Sequence, residues 1–167
     1  EQTKTQPRST TTTSSPASAK PKEETKVAEA KKDGWIKEDN QWRFYENNKP
    51  VTKWKQIQGK WYYFDKNGNR LSNTTFDGYA FDNDGVMSSG GWIKLTDKWY
   101  YSNSSGKISQ EKWEKIGNSW YYFDKNGIML SNTIFNGYLF SNSGAMATNS
   151  WVKINEQWYY AQASGKP

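Results

Sequence analysis

Ten Trp residues fall into five pairs, Trp35/Trp42, Trp54/Trp61, Trp92/Trp99, Trp113/Trp120 and Trp151/Trp158, and in every pair the two rings are seven residues apart. A fixed spacing kept five times describes a chain assembled from short repeats, and a repeat fixes the architecture before any single element is assigned. Seven units begin near residues 34, 53, 74, 91, 112, 133 and 150. Units three and six, TTFDGYAFDNDGVM and TIFNGYLFSNSGAM, are shorter and carry no Trp. A longer period overlies the first. GWIKEDNQW recurs 57 residues on as GWIKLTDKW, and WYYFDKNG recurs after 59, so three units make one super-repeat.

Each unit reads as a β-hairpin. In KWYYFDKNGNRL the aromatic residues suit strands, and Asn67-Gly68 is the short-range turn signal that tolerates positive φ. Side chains alternate along a strand, which puts Trp61 and Tyr63 on one face and Tyr62 and Phe64 on the other. A hairpin apolar on both faces is marginal alone. Stacking on its neighbours covers both sides, so the expected fold is all-β, a solenoid of stacked β-hairpin repeats over residues 34–167. Residues 1–33 hold no aromatic and are mostly Ser, Thr, Pro, Ala, Lys and Glu. Such a segment cannot offset its own ordering entropy and reads as a disordered linker.

The residue inventory excludes much chemistry. With no Cys and no His, there is no thiol nucleophile, no Cys- or His-ligated metal and no Ser-His-Asp triad. A glycosidase built on two carboxylates survives that test, but short repeats rarely supply the deep scaffold it needs, and the chain is read as non-enzymatic and without a cofactor. Aromatics make up 17% of the 167 residues, yet mean hydropathy is −1.09, so any core is aromatic. A net charge of +6, with both signs alternating and no Lys/Arg block, argues against nucleic acid as partner. No run approaches the ~20 apolar residues of a membrane span, so no membrane insertion is expected. The sequence opens at Glu1 without Met, which suggests a processed product or fragment, with no signal peptide left to read.

The pattern GW-x6-W-YY-x3-S-G-x-I, as in GWIKLTDKWYYSNSSGKI, resembles the choline-binding repeat of Gram-positive surface proteins and their phages. WYYFD leans toward related glucan-binding and toxin cell-wall-binding repeats, whereas the GW…WYY pairs and the GIM and GAM ends lean toward choline. The resemblance covers residues 34–167. It implies ligand boxes between consecutive hairpins, each of two Trp from one hairpin and a Tyr from the next, closed by an aliphatic or Met side chain. Carried onto this sequence, Trp35 and Trp42 with Tyr63, lined by Val51, form one box. Trp92 and Trp99 with Tyr122, lined by Ile108, form another. Trp54/Trp61 and Trp113/Trp120 face units where the second Tyr is replaced by Ala80 or Leu139, and Trp151/Trp158 have no complete successor. These three pairs are weaker candidates. Should the first Tyr serve instead, Tyr79 and Tyr138 complete two of them.

The implied function is cell-wall attachment through choline (phosphocholine) groups of teichoic acids, in a secreted protein held at the cell surface. Two alternatives stand beside it. One is a carbohydrate-binding module for α-glucan or another surface glycan, with Gln56, Gln58 or Lys60 meeting sugar hydroxyls. The other is a structural or adhesion repeat whose rings are core alone. Tyr62, Phe64, Tyr121 and Phe123 are expected as interior packing, and Asp65, Lys66, Asp124 and Lys125 as turn residues. The triplets at Asn73 and Asn132 match N-glycosylation acceptors formally but carry little weight in a bacterial surface protein.

Overall fold

The computed structural model describes residues 31–167 and the backbone of residues 8–10. Among them there is no helix, and seven antiparallel hairpins follow one another. Strands β2 (Lys31–Glu38) and β3 (Gln41–Glu46) form the first hairpin, and β5 (Lys53–Ile57) and β6 (Lys60–Phe64) the second. The third is β7 (Thr74–Phe76) with β8 (Tyr79–Phe81), and the fourth β9 (Gly91–Leu95) with β10 (Lys98–Ser102). The fifth is β11 (Lys112–Ile116) with β12 (Ser119–Phe123). The sixth is β13 (Thr133–Phe135) with β14 (Tyr138–Phe140), and the seventh β15 (Ser150–Ile154) with β16 (Gln157–Ala161). Two short strands flank the first hairpin, β1 (Arg8–Thr10) against β2 and β4 (Lys49–Pro50) against β3. Six of the seven hairpins start at the residue expected for their unit. The first begins three residues earlier, at Lys31, inside the expected linker, and β1 pairs with those three residues. The rest of that linker lies outside the described residues.

The hairpin turns are not where Asn-Gly stands. Each is a two-residue turn between the two strands of its hairpin, as at Asp39-Asn40 (φ 53° and 66°) and Gln58-Gly59 (φ 51° and 80°). Two successive positive φ values define the type I′ turn, whose twist matches that of paired strands. Asn67-Gly68 instead closes a loop after the hairpin. The Asp65 carboxylate accepts the Asn67 and Asn69 N–H groups at 2.8 and 2.9 Å, and Gly68 N–H donates to the Asp65 carbonyl. The chain then returns along its own hairpin, through single bridges such as Phe64↔Arg70 and Phe123↔Met129. Several return segments also donate a backbone N–H to the hairpin before: Arg70 to the Trp42 carbonyl, Met129 to Trp99 and Met146 to Trp120, at 2.8–2.9 Å.

The described residues divide into two compact units, one running to Ser72 and including Asn83–Met87, the other Asn73–Asp82 with Ser88–Pro167. In the first, Trp35, Tyr62 and Phe64 are buried together, with Trp42, Phe44, Val51, Ile57 and Val86 against them. In the second, Ala80, Leu95, Tyr100 and Ile108 form one cluster, and Leu139, Val152, Ile154 and Ala161 another. In both, hairpins stack face to face and bury rings that no single hairpin could cover.

Candidate functional site

In antiparallel pairing, directly opposed residues share a face. The register of β9 and β10 opposes Trp92 to Tyr101 and Trp99 to Lys94, so Trp92, Trp99 and Tyr101 lie on one face. The two indoles meet edge to face, 6.0 Å apart at 89°. The next hairpin turns Tyr121 and Phe123 toward them, Tyr121 at 5.0 Å and 75° from Trp92 and Phe123 at 5.8 Å. Phe123 is buried and backs Trp92; Tyr121 is half-buried and forms the third wall of the box. The Met129 backbone bond to Trp99 brings the thioether in as the fourth side. Gly144 follows with φ 93°, and a Cβ there would come within 2.3 Å of Met129 Sδ, so only glycine leaves Met129 its place.

The result is an open cavity of about 310 Å³ lined by Trp92, Trp99, Tyr121, Met129 and Ser143. That is the small end of the ~300–1,000 Å³ usual for ligand sites. The fifth hairpin repeats it. Trp113 and Trp120 meet at 6.3 Å and 81°, Tyr138 stands 5.1 Å from Trp113, and Met146 and Ser164 complete a second cavity of about 310 Å³. No carboxylate lines either one. Among the described residues, no group of three or more His, Cys, Asp or Glu could hold a metal.

The structure corrects the tyrosines expected from sequence. Tyr63 is opposed to Trp54 of its own hairpin, 5.3 Å away, and Tyr122 is opposed to Trp113 and stacks on Phe135 at 4.5 Å. Neither reaches the box assigned to it. The period of two separated the faces correctly, but it is the Tyr62/Phe64 and Tyr121/Phe123 faces that turn to the preceding hairpin, so Tyr62 and Tyr121 are walls as well as packing. Val51 packs against the Trp35, Tyr62 and Phe64 rings of the first hairpin pair, whereas Ile108 is buried beside Tyr100 and does not line the Trp92/Trp99 cavity. The return-segment methionines do that, and the GIM and GAM ends were their signal. Trp113/Trp120 gain the wall they seemed to lack from Tyr138, while Leu139 is fully buried. Trp54 and Trp61 lie 6.2 Å apart at 79°. Trp151 and Trp158 are 64% and 62% exposed.

Residues 110–151 match the choline-binding repeat, and residues 52–69, 90–108 and 149–166 match the cell wall binding repeat. The repeats belong to the choline-binding repeat family. Solved structures from Streptococcus pneumoniae share the fold. CbpJ from strain TIGR4 is 31% identical with a TM-score of 0.63, covering 84% of this chain and 49% of its own. Choline binding protein F is 32% identical, TM-score 0.57, over 83% of this chain and 52% of its own. The modular autolysin LytC is 29% identical, TM-score 0.60, over 83% of this chain and 33% of its own. The chain thus spans between a third and about half of these relatives. No curated protein matches the sequence.

Proposed function

We propose that these choline-binding repeats are a non-catalytic module that holds its protein on a cell surface by binding choline groups of wall teichoic acids in the cages Trp92/Trp99/Tyr121/Met129 and Trp113/Trp120/Tyr138/Met146. The observation that carries the reading is the chemistry of the walls: three ring faces and a thioether converge, and no carboxylate competes. A trimethylammonium spreads its charge over methyl groups and donates no strong hydrogen bond. Ring faces hold such a cation at about 0.5–2 kcal/mol each. A sugar would need several polar partners, and beyond the indole N–H and tyrosine hydroxyl groups each cage offers one serine side chain and no amide or charged group. Gln56, Gln58 and Lys60 belong to the second hairpin and are not among the residues lining either cage. Weak single sites on one chain gain by multivalency on a polymer that repeats the ligand.

Calorimetric titration with choline chloride, beside isomalto-oligosaccharide, tests this. Saturable heat with choline alone is expected, together with a higher melting temperature, since the ligand binds only folded cages. Binding of the oligosaccharide without choline would replace the proposal with the glycan reading.

A further inference from the structure

The first hairpin holds a cage built like that of the fourth, one super-repeat earlier. Trp35 and Trp42 meet at 6.0 Å and 86°, Tyr62 stands 5.0 Å from Trp35 and Phe64 5.8 Å. The corresponding distances around Trp92 are the same, and the interplanar angles agree within a few degrees. The fourth side differs. Where Met129 and Met146 bond backbone to Trp99 and Trp120, the residue bonded to Trp42 is Arg70. Its guanidinium carbon lies 5.6 Å from the Trp35 ring centre and 5.8 Å from that of Trp42. Both lie within the ~6 Å reach of a cation–π contact.

We infer that Arg70 is the resident cation of the first cage and denies it to choline, a reading that rests on the choline function proposed above. The guanidinium is planar, weakly hydrated and suited to lie on ring faces. Its backbone is tied to the Trp42 carbonyl, so it meets the indoles without the translational and rotational loss that a free ligand pays on binding. Gly85 gives it space, since a Cβ there would come within 2.5 Å of Arg70 Cδ and Nε, as one at Gly144 would crowd Met129. Burial agrees. Trp35 is 5% exposed, while Trp92 is half-buried and Trp99 is 38% exposed. Arg70 therefore sets which cages take ligand, and the same position read as Met opens them.

The test exchanges the two side chains in the full chain. Choline chloride is titrated by calorimetry and by NMR, following contacts from the trimethylammonium protons to individual indoles. Wild type should show contacts at Trp92, Trp99, Trp113 and Trp120 and none at Trp42. Arg70→Met should add contacts at Trp35 and Trp42 and raise the stoichiometry by one site. Met129→Arg should lose the Trp92/Trp99 contacts and lower it by one, with near-ultraviolet circular dichroism reporting the fold. Wild-type contacts at Trp42, or an Arg70→Met protein with unchanged stoichiometry, would overturn the inference while leaving the choline function standing. If Arg70→Met does not fold, Met129→Arg decides alone, and a retained Trp92/Trp99 site overturns it. A chain with no choline contact at any indole in any variant refutes the choline function itself, and the inference with it.

Discussion

Replacing Tyr121 by Leu removes one of three ring walls from the Trp92/Trp99 cage and leaves the neighbouring cage its own wall, Tyr138. The Tyr121 ring stands 5.0 Å from Trp92. A cation held by ring faces loses about 0.5–2 kcal/mol with one of them. At 1.4 kcal/mol per tenfold, choline should bind that site about 2- to 30-fold more weakly. Tyr122→Leu, one residue along, is the control. It removes the stack on Phe135 and the edge contact with Trp113. The aromatic pairs and the space left behind should lower stability by about 1–3 kcal/mol while the Trp92/Trp99 site keeps its affinity. The assay is an NMR titration with choline, read at the Trp92 and Trp99 indole protons, beside urea unfolding of both variants. Repeating it at low and high salt should change little, because no pair of formal charges is screened. Loss of the Trp92/Trp99 site in folded Tyr122→Leu, with Tyr121→Leu unaffected, would refute the assignment of faces.

Two further outcomes follow from the geometry. Glu38 accepts hydrogen bonds from Lys32, Tyr45 and Arg43 at 2.7–3.0 Å, and the Lys32 bond above all draws its pKa down to about 2. A carboxylate depressed in this way stabilises the fold above its unfolded value, near 4.5, and loses that contribution as pH falls through about 2. For a side chain a quarter exposed the loss should be about 1 kcal/mol, and urea midpoints measured between pH 7 and pH 2 should fall less in Glu38→Gln. Gly144→Ala forces a side chain onto φ 93° and into Met129, so it should lower both the melting temperature and choline affinity at Trp92/Trp99, with the Trp113/Trp120 site unchanged; equal weakening of both sites would contradict it.

Much of the fold could be read because Trp is large and recurs. Its spacing places the hairpins, and β5, β7, β9, β11, β13 and β15 begin where their units do. The turns could not be read from Asn67-Gly68, since pairing of Trp54 with Tyr63 requires a two-residue loop at Gln58-Gly59 and leaves Asn-Gly to close a loop on Asp65. Strand alternation says that Tyr121 and Tyr122 point apart. Which of them meets the preceding hairpin is decided by stacking between units, and no local pattern encodes it. Arg70 gives even less signal, because NGNRL and NGIML differ at two positions, and the surroundings of the second come from residues far along the chain.

That separation also imposes an order in time. Trp92 and Trp99 meet Tyr121 and Met129 only after the next hairpin and its return segment exist, and Ser143 and Gly144 come from the loop of the hairpin after that. With synthesis at ~5–20 residues per second, the chain between Trp99 and Gly144 takes a few seconds to make. During synthesis each pair of indoles therefore waits open, and a cage becomes competent only when the chain has grown two hairpins past it.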